Sequence, residues 1–395
     1  MIDGVTLLRT PETIRERCKQ LLNYAEQDRL LKVTFHPEHI DEVATYVASV
    51  TREQYPDLAV PYHDRWGHLN AGGISRVESL ATMLAPFSST ERLRRSVACI
   101  VVSVLLDAGA GPTWRYRETA SGLEYSRSEG LAVASFDMFR NGLFSASPAD
   151  PYRVDSAKLS QIQDADLAAG FQVTADNPMV GLSGRAELLR KLGNTTSIHE
   201  FSDRILEGTV GNQLSAAAIL QTVLEVFEDI WPSSFVLQGH NLGDVARHPL
   251  VRGPGETDSI VPFHKLSQWL TYSLILPFEQ RGVVVTELHR LTALAEYRNG
   301  GLLVDLGVIQ PRNREAYTEL HSVTDELIVE WRALTVAIID KLAIRVRELL
   351  HVSEEAFPLP RVLQGGTWSA GRIAAKQRRP DGSPPFSIKS DGNVF

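Results

Sequence analysis

The residues of this chain best suited to chemistry stand in apolar company. The stretch TALAEYRNGGLLVDLG, Thr292 to Gly307, sets a carboxylate, a phenol and a guanidinium side by side at Glu296, Tyr297 and Arg298, and follows them with Gly300 and Gly301. Upstream, VPFHKLSQWLTYSLI places Lys265 beside His264 and among Phe263, Leu266, Trp269 and Leu270. A third charged group, Glu330-Trp331-Arg332, interrupts the apolar run ELIVEWRALTVAIID. Buried charges must be paired or neutralised. A lysine at the edge of an apolar face extends its stem to solvent by default. With Glu296 or Glu330 in range, the same residues form either a structural ion network or a pocket with tuned acid–base behaviour. Spacing alone weighs these two readings equally.

Other chemistries find less support. YHDRWGH offers His63, Asp64 and His68, but the two histidines miss the i, i+4 spacing of helical zinc ligands, and no CxxC or HExxH is present. The expectation is no metal and no cofactor, with WGHLNAGG as a loop packed on the core. GGTWSAG and NAGGISR match neither phosphate-loop nor dinucleotide patterns, and no G-x-S-x-G nucleophile turn occurs.

The composition is that of a globular protein: 395 residues, 43 % hydrophobic and 22 % charged, with two cysteines, too few for a disulfide framework. The start lacks the features of a secretory signal, and no uncharged apolar run approaches the roughly 20 residues that span a bilayer. A cytoplasmic protein with no membrane partner is expected. A net charge of -8 and a pI near 5.8 argue against nucleic acid as a partner. The basic cluster AAKQRRPDGSPP reads as a solvated segment. Oligomeric state is not legible.

The elements that must position these residues are mostly helices. PETIRERCKQLLNYAEQ opens on the cap Thr10 and Pro11, with Ile14, Cys18, Leu21 and Leu22 on one face. HIDEVATYVASVTREQY is a second helix, and TERLRRSVACIVVSVLLDAG is apolar nearly all round, as a central buried helix must be. SRSEGLAVASFDMFRNG pairs Ser126 with Glu129 as a capping box and ends at Gly142. GRAELLRKLG, SAAAILQTVLEVFEDIW, PFHKLSQWLTYSLILPFEQRG and one long helix from EAYTEL to RVRELL follow. Strand signals are confined to a small β-hairpin near 112–127 and a possible short strand in SSFVLQGHNLGDV. The predicted fold class is mainly α: a single compact helical domain, with residues 1–90 as a helical extension packed on a 91–395 core.

At these residues the chain resembles a known family. VVSVLLDAGAGPTWRYRE, SEGLAVASFDMF, ADNPMVGLSGRAELLRKLG, VPFHKLSQWLTYSLI, LAEYRNGGLLVDLG, EWRALTVA and the closing SDGNVF look like the large uncharacterised family associated with uracil catabolism in fungi and bacteria, along essentially the whole chain. That resemblance implies a step of pyrimidine degradation in which a ribosylurea-type compound is split to urea and sugar. A more distant likeness is to the queuosine salvage nucleosidases, helical proteins resembling DNA glycosylases. There, a lysine in an FYK-like motif precedes a catalytic aspartate in a DYR-like motif by about thirty residues. The matching positions here are Lys265 and Glu296, with Arg298 after it; Glu replaces Asp. The N-terminal third shows no clear correspondence, although HLNAGG is a candidate for the place of the base-contacting segment.

The resemblance implies a small-molecule ribosyl substrate and a division of labour. A carboxylate beneath the anomeric carbon, Glu296, stabilises a sugar cation that develops only in the transition state, as nucleophile or by activating water. Lys265 orients Glu296 and the sugar or binds a 5'-phosphate. Arg298 holds the carboxylate or grips phosphate. Asp176, in TADNP, protonates the departing urea nitrogen. Gly300 and Gly301 let the backbone turn beside the substrate, and Tyr297, His264, Glu330 and Arg332 complete the binding set. Lys265, Glu296 and Arg298 are expected to line one pocket, with the Glu296 carboxylate within reach of the Lys265 or Arg298 side chain. The competing class is a non-catalytic binding or scaffold protein of the same pathway. DNA glycosylase activity is disfavoured by the net charge of -8.

Overall fold

Helices dominate this computed structural model, which describes residues 3–195, 198–231 and 235–389. Their ends follow local chemistry. The Thr10 hydroxyl accepts the Thr13 N–H at 3.2 Å and Pro11 supplies the preset φ of the first turn, so the helix Pro11–Glu26 starts there and buries the stripe Ile14, Cys18, Leu21 and Leu22. Ser88 caps Ser89–Leu105 through the Glu91 N–H at 3.3 Å, and from Val97 onward that helix is buried on every side.

The chain divides into two compact units, one from the described parts of residues 1–63, 233–268 and 287–389, the other from those of 64–232 and 269–286. In the first, the helix Glu326–Leu350 is the spine: Pro11–Glu26, Ile40–Gln54 and Tyr297–Asp305 pack on it, and Tyr297–Asp305 also packs on Trp368–Arg378. Short ladders tie distant segments. Val33–Phe35 runs antiparallel to Ile309–Pro311, Val245–Arg247 antiparallel to Ile260–Pro262, and Leu320–His321 parallel to Ser387–Ile388. The late chain clasps the helix Tyr297–Asp305. Arg379 forks onto Asp305 at 2.7 and 2.6 Å, and Phe386 sets its ring at right angles to that of Trp331, centroids 5.0 Å apart.

In the second unit Ser89–Leu105 packs against Arg127–Arg140, Leu182–Thr195 and Ile198–Glu207. The hairpin predicted near 112–127 is present, Tyr116 opposite Tyr125 and Arg117 opposite Glu124. Gln213–Ser215 pairs in parallel with Val284–Thr286.

Three expectations need correction. Ser126 makes no capping bond: Arg127 turns the chain with φ 53°, which breaks the passage from extended to helical backbone that a capping box requires. The last long helix begins only at Glu326, after the cap Asp325, because the residues before it form a tight turn and the strand Leu320–His321. Strands are also more widespread than alternation suggests, since segments of two or three residues are too short to show a period. Among the described residues no helix is long and apolar enough to cross a membrane. SDGNVF lies outside them.

Candidate functional site

Glu296 is the residue at which extended backbone (φ −124°, ψ 165°) becomes the helix Tyr297–Asp305, and it is that helix's cap. Its Oε2 accepts the Arg298 N–H at 2.7 Å and its Oε1 the Asn299 N–H at 2.6 Å. The side chain is buried, 7 % exposed. Burial pushes its pKa above the ordinary glutamate range, against the pull of those two N–H groups and of the Lys265 and Arg298 charges. Each carboxylate oxygen has two lone pairs, so one on each remains for a further donor.

Lys265 is half-buried at the start of the helix Lys265–Gln280. Its field reaches Glu296, yet its ammonium makes no direct ion pair among the described residues. Asp244 places it: Oδ2 accepts the Lys265 N–H at 2.9 Å, and the Asp244 carbonyl accepts the N–H groups of Phe263 and His264 at 3.0 and 3.1 Å. His264, in left-handed backbone geometry at φ 47°, turns its ring away to donate from Nε2 to the Leu8 carbonyl at 2.9 Å. Burial lowers its pKa to about 4, so it is neutral at pH 7.

Arg332 completes the arrangement. Nη1 and Nη2 fork onto Asp244 at 2.8 and 2.7 Å, Nε donates to the Ala295 carbonyl at 3.2 Å, and the guanidinium lies over the Phe263 ring, 4.1 Å from its centroid. Burial pushes the Asp244 pKa up, but the charge and fork of Arg332 together with the Lys265 N–H hold it below the usual aspartate value. A second tie joins the same segments: Gln268, one turn after Lys265, accepts the Thr292 N–H at 3.0 Å and donates to the Thr292 hydroxyl. Asp244 and Gln268 escape a search of the sequence for charged residues in apolar helices, because one sits in a loop and the other is uncharged.

The remaining candidates fall elsewhere or act differently. The Arg298 guanidinium donates to the Gly382 carbonyl at 2.9 Å and lies 4.9 Å from the Tyr297 ring centroid; its main-chain N–H, not its side chain, meets Glu296. Gly300 and Gly301 lie inside the helix rather than in a turn, and their smallness serves packing. A Cβ on Gly300 would stand 2.7 Å from both Thr335 Oγ1 and Trp331 Nε1. Asp176 is exposed in a turn of the second unit.

Glu330 belongs to a different network. It is fully buried and accepts the N–H groups of Leu31, Lys32 and Val33 at 3.2, 3.1 and 3.0 Å, with His248 Nε2 at 3.3 Å from Oε1. With Glu326, these residues form a grouping of metal-ligand type that the sequence spacing does not reveal. The donor set does not fit a cation: His248 Nδ1 accepts the Leu250 N–H at 3.3 Å, which leaves the proton on Nε2, and two donors already saturate each Glu330 oxygen. His63 of YHDRWGH meets Gln364 at 2.7 Å, while Asp64 caps Arg65–Leu69 through the Gly67 N–H at 2.9 Å, its carboxyl pushed up to about 7 by burial.

Set beside known proteins, the chain is 39 % identical over 404 aligned residues to Protein urg3 of Schizosaccharomyces pombe, covering 100 % of this chain and 99 % of that one. It is 34 % identical over 437 aligned residues to Uracil catabolism protein 4 of Lachancea kluyveri, covering 99 % of each. The family described as "Protein of unknown function (DUF1688)" matches residues 7–395. Agreement over nearly the full length of this chain and of both relatives, with the family match at residues 7–395, leaves one assignment: this protein belongs to the DUF1688 family.

Proposed function

We propose that the protein is an N-ribosyl hydrolase of uracil degradation, splitting a ribosylurea-like compound or its phosphate to urea and sugar, on a helical fold akin to that of the nucleosidases. The observation that carries this reading is Glu296: a buried carboxylate, fixed by two main-chain N–H groups at a helix start, in the field of a lysine that makes no ion pair with it. A preoriented anion of this kind stabilises positive charge developing at an anomeric carbon and needs no reorganisation as it does so. In the proposed step the C1'–N bond breaks with its electron pair going to nitrogen, which takes a proton, and oxygen bonds to C1'. That oxygen comes from water whose proton passes to Glu296, or from Glu296 itself ahead of hydrolysis. Lys265 orients the carboxylate and the sugar or meets a 5'-phosphate, and the departing nitrogen takes its proton from solvent, since Asp176 is exposed on the second unit. The name of the Lachancea relative supports the pathway.

A second reading has its own observation: both Glu296 oxygens are already engaged in capping a helix, as a purely structural carboxylate would be. The protein is then a binding or scaffold component of the same pathway. Incubation of the purified protein with ribosylurea, its 5'-phosphate, uridine and uridine monophosphate, with assays for urea, uracil and ribose, separates the two. Urea from either ribosylurea compound is expected; no product from any of the four sinks the hydrolase.

A further inference from the structure

Resting on the reading of Glu296 as the catalytic carboxylate, we infer that Asp244 and Arg332 act as one positioning device that sets the distance and orientation between Glu296 and Lys265. The two functional groups lie on separate stretches of chain: Lys265 follows the strand Ile260–Pro262 by three residues, and Glu296 ends an extended stretch before the helix Tyr297–Asp305. Asp244 governs the stretch leading to Lys265. Its Oδ2 caps the helix at the Lys265 N–H, at 2.9 Å, and its carbonyl holds Phe263 and His264, which forces the left-handed turn at His264 just before the helix. Arg332 governs the other stretch, gripping the carbonyl of Ala295, the residue before Glu296. The fork between Asp244 and Arg332 ties both stretches together through two parallel bonds of 2.8 and 2.7 Å. A planar fork fixes angle as well as distance, which a lysine in place of the arginine cannot do.

The pair is suited to geometry rather than to chemistry. Its charges cancel, Asp244 stays ionised, and all three guanidinium nitrogens of Arg332 already serve the scaffold. Lys265 and Arg298 are charged groups whose fields reach Glu296; of these two, Lys265 is the one placed by Asp244. The lysine's influence on the carboxylate falls with separation, so it reports whether the device holds.

The test uses Asp244→Asn, Arg332→Lys and the double variant of the full chain. Turnover of ribosylurea or its phosphate is expected to fall about tenfold or more in each single variant, with KM within about threefold of wild type, because a small misplacement damages the transition state more than binding. The double variant is expected to be no worse than the worse single one, as for two parts of one unit. A second measurement needs no turnover: the Glu296 carboxyl is titrated by 13C NMR with and without Lys265→Met. In wild type the lysine change raises the Glu296 pKa, and in Asp244→Asn that rise is expected to shrink to less than half. Where Asp244→Asn does not fold, Arg332→Lys carries both measurements. An undiminished rise, or wild-type kcat in a folded variant, overturns the inference. If the wild type releases no urea at all, the hydrolase reading fails, while the titration still decides whether the device exists.

Discussion

Gly300 lies so close to Trp331 that a side chain cannot be added without moving one of two helices: a Cβ there would stand 2.7 Å from the indole Nε1 and 2.8 Å from Cε2. Replacing glycine by alanine in a helix interior gains about 1 kcal/mol of propensity. Overpacking a tight contact costs about 1–3 kcal/mol and more when ring and helix must shift together. Gly300→Ala is therefore expected to destabilise by about 1–2 kcal/mol net. At Gly301 the nearest atom is Pro385 Cδ at 3.3 Å, a contact eased by a small adjustment. Gly301→Ala is expected to be neutral or stabilising by up to about 1 kcal/mol. Urea denaturation of the two variants gives midpoints on opposite sides of wild type or, for Gly301→Ala, level with it; equal losses would contradict the packing account.

Glu296→Gln separates capping from catalysis. Glutamine keeps one oxygen for the helix start, so the structural loss is about 1 kcal/mol, the usual scale of a cap. Loss of the charge facing a sugar cation is expected to lower kcat by about 100-fold or more. Melting temperature and turnover measured on one preparation decide between the roles, and a folded variant with near wild-type turnover removes Glu296 from the chemistry.

The raised pKa of Glu296 gives pH effects of opposite sign on activity and stability. Activity needs the carboxylate, so urea release is expected to fall as pH drops through a value above the ordinary glutamate range. For stability, the folded state binds this proton more tightly than the unfolded state. The contribution is fully present below the ordinary glutamate range and is lost as pH rises through the raised folded pKa. Wild type should then lose stability relative to Glu296→Gln as pH climbs through that window. A stability difference constant with pH would show that burial does not shift the group.

Glu330 tests the alternative of a metal. Its carboxylate satisfies three main-chain N–H groups and His248, so Glu330→Ala is expected to cost about 3 kcal/mol or more by leaving buried donors without an acceptor. Exhaustive chelation of the wild type, by contrast, is expected to leave melting temperature and urea release unchanged. A loss restored by one divalent cation would reassign His248, Glu326 and Glu330 as ligands.

How far the sequence leads depends on the range of the interaction. Helical faces such as Ile14, Cys18, Leu21 and Leu22 are local patterns and lie in the structure where periodicity puts them. Lys265 and Glu296 are legible as charges in apolar surroundings. Asp244 is not, because its meaning comes from Arg332, 88 positions away, and it stands in the short break between the strands His240–Asn241 and Val245–Arg247, where no period marks it. Adjacency in sequence suggests that the side chain of Arg298 turns toward Glu296, yet residues two apart on a helix point to different sides, and only the main-chain N–H of Arg298 reaches back. Gly300 and Gly301 suggest a turn by type, but the cap at Glu296 and the buried Leu302 and Leu303 hold them in a helix.

The first unit is assembled from segments far apart in the chain, and that has a consequence on the ribosome. Val33–Phe35 has no strand partner until residues 309–311 have been made, and the helix Tyr297–Asp305 lacks the Arg379 fork on Asp305 until that residue has been made. Val33–Phe35 must therefore wait for that partner while residues 64–286, which include the second unit, are made. The helix that Glu296 caps is completed late, so a chain that stalls before Arg379 leaves its proposed site unfinished.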